Sequence, residues 1–403
     1  MKVVLIDLNW KHLLPLTFSK SVSELLVGID TIGEKWTRQF GQEPLMLTAK
    51  YLQEGYNWSD KEELTLINAS VIPTDSLAEA IEQLKNNQFL TYRGKFVAGK
   101  IVEIDSEKRS KDLEMGNSLS LLWAGSEEIF YNDECLIIEK PSDIFTYNDA
   151  IMRQDFDGIT KGFRTTEFPR DVLPKGGDIF IEDGANLNHC VLNASTGPIY
   201  IGKDAEVMEG SLIRGPFSLG ANSTLKMGAK IYGATSIGKH CKVGGEVNNC
   251  IVSDFSNKGH DGFLGNSVIG SWCNIGADTN TSNLKNNYGE VSVWSYPEEK
   301  IVKKGMQFHG LVMGDHTKAG INTMFNTGTT LGMCCNIFDS GFPPKFLPSF
   351  SWGSAQKGFE DFKMEKAIEA ATAMMERRKK SWTKRDEKIF EFVNKHDAKF
   401  RKP

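Results

Sequence analysis

The stretch from Ile201 to Val247 reads IGKDAEVMEGSLIRGPFSLGANSTLKMGAKIYGATSIGKHCKVGGEV, and its apolar residues keep a six-residue step. Ile201, Val207, Ile213, Leu219, Leu225, Ile231, Ile237 and Val243 are all aliphatic. Four places after each stands Ala205, Ser211, Phe217, Ser223, Ala229, Thr235, Cys241 or Val247, mostly small residues. Gly202, Gly220, Gly238 and Gly244 each follow an aliphatic position directly. A period of six fits neither the 3.6 of an amphipathic helix nor the alternation of a hairpin meander. It fits short strands joined by tight corners in a coil, with the aliphatic residue inward and glycines beside Asn, Asp or Lys residues at the corners. The step continues through Phe263, Ile269 and Ile275, pauses over about Asn283 to Gln307, and resumes at Met313, Ala319, Phe325, Leu331 and Ile337.

At 403 residues the chain exceeds one ordinary compact core, which leaves room for structure on both sides of the repeat. Before it, strand-like Val3 to Ile6, Leu64 to Ile67 and Leu136 to Ile138 alternate with helix-like stretches such as Ser76 to Lys85, which predicts an α/β domain over residues 1–165. The coil itself is expected over 176–345. Pro343, Pro344 and Pro348 then break regularity, and Phe359, Phe362, Ile368, Ala371 and Met375 space themselves as one helical stripe in a tail over 350–403.

The formal net charge of -5 is unevenly spread. From Glu376 to Pro403 there are 11 Lys or Arg against 5 Asp or Glu, so this tail carries +6 and the rest of the chain -11. Such a balance argues against a general nucleic-acid surface and leaves the tail as a solvated helical face or a local anion site. The seven cysteines include no CxxC pair and read as reduced, mostly buried thiols. No apolar run approaches membrane-spanning length, and the expectation is a soluble cytoplasmic protein.

The residues that carry chemistry begin at Lys258-Gly259-His260-Asp261-Gly262-Phe263-Leu264-Gly265-Asn266 and continue through Asn274-Ile275-Gly276-Ala277-Asp278-Thr279 to Asn283. This segment resembles, without a gap, the acetyltransferase half of the bifunctional GlmU family, which makes UDP-N-acetylglucosamine. The resemblance implies a left-handed parallel β-helix of hexapeptide repeats, a homotrimer, and acetyl-CoA as acyl donor. It places the family's catalytic histidine on His260 and its sugar-contacting asparagines on Asn274 and Asn283. An amino sugar attacks a thioester only as the free amine, and a neutral imidazole can take the departing proton. Asparagine reads hydroxyls with both donor and acceptor groups. Lys258, Lys230 and Lys226 are candidates for the sugar phosphate. Two positions depart from the family: its tyrosine is Phe263, and the glycine of its Ala-Gly-Thr is Asp278.

Further motifs, among them Ile213-Arg214-Gly215-Pro216, Cys241-Lys242-Val243-Gly244-Gly245-Glu246-Val247 and Asn283-Leu284-Lys285-Asn286-Asn287-Tyr288, are similar to a variant bacterial group of GlmU-like proteins. At the N-terminus the matching residues are Leu14-Pro15-Leu16-Thr17-Phe18, Gly28, Thr31 and Glu34-Lys35-Trp36. They imply a nucleotidyltransferase-like α/β domain acting on a sugar 1-phosphate with Mg2+ and UTP or dTTP. Lys35 is the candidate phosphate contact and Asp143 the candidate metal ligand. Yet Leu8-Asn9-Trp10-Lys11 follows the first strand without the glycines that let backbone N-H groups cradle phosphate, and the group's usual Arg-Pro is Lys20-Ser21. An acyltransferase with a non-catalytic N-terminal domain, or a wholly non-catalytic assembly protein, is the alternative. A zinc hydrolase on the same coil is disfavoured, because His240, His260, His309 and His316 show no pair four or five apart.

Overall fold

The structure, a computed structural model, describes residues 2–56, 63–102, 104–116, 123–303, 305–339 and 341–401. The remaining residues of the three expected domains lie outside these: 1, 57–62, 103 and 117–122 of the first, 304 and 340 of the coil, and 402–403 of the tail. The chain forms two compact units. One comprises Met1–Leu13, Ser19–Leu25 and Asp30–Glu139, the other Leu14–Phe18, Leu26–Ile29 and Lys140–Pro403.

The first unit is a mixed sheet in the order β2-β1-β3-β5-β4-β6, built from β1 (Lys2–Ile6), β2 (Leu45–Leu47), β3 (Leu64–Asn68), β4 (Gln88–Tyr92), β5 (Lys95–Ile101) and β6 (Glu127–Phe130). Its helices are α1 (Ile32–Phe40), α2 (Lys50–Gln53), α3 (Asp75–Glu82) and α4 (Ser106–Met115). β1 runs parallel to both β2 and β3, and its residues Val3 to Ile6 are all buried, the continuous apolar run expected of a strand covered on both faces. α1 starts where Thr31 and Glu34 cap each other's backbone N-H, and stops at Gly41, whose φ of 68° suits glycine.

The second unit is a parallel β-solenoid with sheets of six, nine and ten strands. Ile201 pairs with Leu219 and Leu219 with Ile237, eighteen residues per coil or three hexapeptides. Both the aliphatic column and the column four places on are buried, from Ala205 at 1% exposure to Ser223 at 0%, so each side of the coil turns two residues inward. One hydrophobic cluster consequently runs from Val172 to Leu347. The column that starts at Leu187 and Val207 continues through Leu225 and Val243 to Lys258, a single polar rung before the next coils return to Ala319 and Ile337.

Another inward column reads Ser223, Cys241, Ser256, Cys273, Thr317, Cys335. Each hydroxyl donates to a glycine carbonyl of the next coil (Ser223 to Gly238, Ser256 to Gly270, Thr317 to Gly332, 2.6, 2.6 and 2.7 Å). Each also accepts the N-H of the next cysteine at 2.7–2.9 Å. Corner groups that water would otherwise satisfy are thereby paired inside. All seven cysteines are free and buried, as their spacing suggests.

The observed register corrects one inward assignment. Val247 pairs with Leu264 rather than Phe263, because this coil is one residue short, and a one-residue slip turns the side chain to the opposite face. Phe263 therefore pairs with Glu246 on the outer surface. The pause in the repeat is an excursion: Ile269 pairs directly with Met313, and an antiparallel hairpin of Ser292–Ser295 and Lys300–Lys303 stands between them in sequence. At one corner His240, Phe255, Trp272 and His316 stack with ring centroids 4.9, 4.1 and 6.0 Å apart.

Helix α5 (Pro141–Thr160), read from the sequence as part of the N-terminal domain, groups with the solenoid unit. Asn148 holds Gly28 N-H and Ala234 carbonyl, Asp155 accepts from Ile29 N-H, and Ser218 donates to the Gly28 carbonyl. The expected helical stripe after the repeat also divides. Phe359 lies in a strand of the hairpin Ser351–Ser354 and Gly358–Asp361, and Phe362 precedes α6 (Met364–Glu376), whose buried face is Ala367, Ala371 and Met375. α7 (Lys384–Asp397) ends on Asp397, which accepts from Tyr296 Oη at 3.1 Å and Ser349 N-H at 2.8 Å. Phe18 packs edge-on against Tyr296 and His396. Among the described residues no helix is long and apolar enough to cross a membrane.

Candidate functional site

His260 sits at a solenoid corner, exposed, on the floor of a groove of about 430 Å³. Gly244, Gly245 and Lys226 line one side, Gly259 and Asp261 flank the histidine, and Ala277 and Asp278 come from the following coil. The backbone approaches closely here. A Cβ on Gly262, whose φ is 113°, would stand 2.2 Å from the Thr279 carbonyl oxygen. Asp278 occupies the family's glycine position with φ 54°, a left-handed conformation that Asp and Asn tolerate better than other side chains. Asn280 braces this corner, accepting from Phe263 N-H and donating to the Asp278 carbonyl, both at 2.8 Å.

The other solenoid candidates spread over different faces. Lys258 is 2% exposed and lies beneath the groove, its Nζ donating to the carbonyls of Gly244 at 3.0 Å and His260 at 2.8 Å. Burial pushes its ammonium down to about 8, against the attraction of Asp261 and Asp278. Lys230 is exposed on an outer face, paired in register with Glu246. Asn274 is exposed between Asn257 and Lys318 of the neighbouring coils. Asn283 is half-buried and donates through Nδ2 to Asn266 Oδ1 at 2.7 Å. One chain thus gathers Lys226, His260, Asp261 and Asp278, and holds Asn274 and Asn283 elsewhere. Asp261, Asn266 and Asn280 were not singled out from the sequence; the family motif contained them, but only the corner geometry gives them work.

In the first unit Lys35 is 2% exposed and its Nζ donates to the Asp30 carbonyl at 2.9 Å, which turns it into the fold. Asp143 belongs to the second unit, where its carboxylate accepts from Lys140 N-H at 3.1 Å and caps α5. Among the described residues no three His, Cys, Asp or Glu side chains group to hold a metal ion. A helix-capping carboxylate beside Lys140 does not fit a preformed divalent-cation site.

The matched family describes this first part of the chain directly: residues 3–164 fit the model of a sugar nucleotidyl transferase. Residues 3–164 are thus nucleotidyltransferase-like. The chain is also similar to GlmU proteins. It is 27% identical over 189 residues to the bifunctional protein GlmU of Synechococcus elongatus, covering 45% of this chain and 38% of that protein. It is 33% identical over 87 residues to GlmU of Methanococcus aeolicus, covering 22% and 20%. The chain spans well under half the length of the curated relatives it matches. The UDP-N-acetylglucosamine acyltransferase from Campylobacter jejuni aligns over 53% of this chain and 95% of its own, with 12% identity and a TM-score of 0.24.

In the first unit the residue after β1 is Asp7, fully buried, with Oδ1 accepting from Ser21 Oγ at 2.8 Å and Val22 N-H at 3.1 Å. Burial pushes its carboxyl up to about 7 in spite of these bonds. An unfolded aspartate ionises near 4, so the folded form is favoured fully below that pH and loses this advantage as pH rises through 7. Three pH units correspond to at most about 4 kcal/mol. Urea denaturation at pH 4.5 and pH 8 should show the domain weakening toward high pH, and Asp7→Asn should remove most of that slope. Equal slopes in both proteins would show that Asp7 is not the group responsible.

Proposed function

We propose that this chain serves sugar-nucleotide synthesis. In this reading the solenoid transfers acetyl from acetyl-CoA to the amine of an amino sugar 1-phosphate, and the sugar nucleotidyl transferase domain joins a nucleotidyl group from UTP or dTTP to a sugar 1-phosphate. The observation that carries it is His260 on the floor of a groove between coils, with carboxylates and a lysine around it. The free amine attacks the thioester carbonyl, its proton passes to the neutral imidazole of His260, and the tetrahedral centre collapses to the amide with loss of the coenzyme A thiolate. The thiolate then takes up a proton. Asp261 and Asp278 offer acceptors to the N-H and O-H groups of the amino sugar, and Lys226 suits an anionic group across the groove. The substrates of this reading suggest a cytoplasmic placement.

His260→Ala should lose on the order of a hundred- to ten-thousand-fold in coenzyme A release with glucosamine 1-phosphate, while still binding acetyl-CoA. Full turnover in that variant would defeat the assignment.

Asn274 and Asn283 do not line the His260 groove of one chain, and a closed homotrimer, in which a neighbouring copy completes the site, is the assembly this reading takes. Light scattering at micromolar concentration should give a trimer; an active monomer would rule it out.

A second reading, in which the N-terminal domain binds without turning over, is favoured by one specific observation. Leu14–Phe18, in the loop after β1, is buried within the solenoid unit, with Thr17 and Phe18 at 0% exposure, and the stretch from Asp7 to Val27 has no glycine. Pyrophosphate release from UTP or dTTP with glucose 1-phosphate or N-acetylglucosamine 1-phosphate separates the two. Release supports nucleotidyl transfer, and its absence with every pair, alongside saturable nucleotide binding, selects the binding-only domain.

A further inference from the structure

Lys258 is the polar rung in a column of the solenoid interior that is otherwise apolar from Leu187 to Val243 and again at Ala319 and Ile337. Placing an ammonium there forfeits its hydration, a cost that an aliphatic side chain at the same place would avoid. The fold therefore needs something from it. What the ammonium does is specific: it donates to the carbonyl of His260, two residues on in its own coil, and to the carbonyl of Gly244, in the coil beneath. The backbone returns the tie, since Gly244 N-H donates to the Lys258 carbonyl at 2.7 Å. Gly244 and His260 are both groove residues, and Gly259 between Lys258 and His260 has no heavy atom within 4 Å of the place a Cβ would take. Gly259 thus leaves open space beside the histidine, and the segment is tied to the coil beneath through Lys258.

We infer that Lys258 is a positioning residue that holds the His260 corner in register over the groove by bonding its carbonyl to the coil beneath. The inference rests on His260 being the base of acetyl transfer. Lys258 does not meet the sugar phosphate in this arrangement, because its side chain is closed off from the groove by the backbone it supports. An ammonium and a neutral amine both donate hydrogen bonds, so the tie persists over the pH range in which Lys258 titrates.

The test is a double-mutant cycle on the full chain, assayed by coenzyme A release from acetyl-CoA and glucosamine 1-phosphate, with KM and kcat measured separately. Lys258→Met keeps the apolar stem and removes the donor. Its kcat should fall on the order of ten- to a hundred-fold, since a misplacement of about 1 Å costs that much, with KM for both substrates nearly unchanged. Lys258→Gln, which restores an N-H donor at similar reach, should recover part of kcat and also shows that the pocket accepts a neutral side chain and folds. In the His260→Ala background Lys258→Met should cost nothing further. A merely structural lysine would instead lower the rate equally in both backgrounds, and a substrate contact would raise the KM for glucosamine 1-phosphate; either result overturns the inference. If His260→Ala is inactive and Lys258→Met turns over normally, the inference alone fails. If His260→Ala keeps full turnover, the assignment of the base fails first.

Discussion

The second unit depends on one constraint: apart from tight turns at its corners, each coil satisfies its backbone hydrogen bonds with the coil above and the coil below. A coil of eighteen residues leaves an interior too narrow for water and wide enough for two side chains per face, so aliphatic residues fill one column and small residues the next. The corners are where this arrangement runs short of partners. There the inward hydroxyls of Ser223, Ser256 and Thr317 bridge consecutive coils, and the stacked rings of His240, Phe255, Trp272 and His316 cover the outside. Polar residues inside the solenoid are therefore part of its hydrogen-bond accounting, not defects in its core.

The groove appears where the regular stack is relaxed. The coils around it are shorter than eighteen residues, glycines replace side chains at Gly244, Gly245 and Gly259, and Asp278 takes a left-handed corner. Each departure removes bulk or reverses the chain beside His260, which leaves the imidazole exposed over a thinly covered backbone.

Much of this was legible in the residues themselves. The six-residue step from Ile201 to Val243 specified inward columns that the structure reproduces residue by residue, since a repeat that long is improbable unless each period meets the same environment. Phe263 was misplaced because periodicity does not register a coil one residue short, and only pairing with Glu246 shows the slip. The stripe through Phe359 and Phe362 failed for a related reason: two aromatic residues at helical spacing do not reveal that Gly358 turns a hairpin between strands first. Lys35 and Asp143 were plausible by type, but a lysine and a carboxylate near a strand end serve caps and carbonyls as readily as ligands, and burial decides between those uses. Lys258 is the reverse case: charge suggested a surface contact, and the register shows an interior rung.

The alternation of serine or threonine with cysteine along one interior column has a consequence of another kind. Burial pushes the thiol of Cys335 up to about 12 and that of Cys241 higher still, so neither ionises while its coil is closed. A thiol reacts as its thiolate, and only where a reagent can touch it. Cys190, Cys241, Cys250, Cys273, Cys334 and Cys335 are distributed from the first coils to the last. The solenoid accordingly keeps its own record of breathing: each sulfur is silent until its two neighbouring coils part, and the order in which the sulfurs become reactive traces where along the axis the stack first comes open.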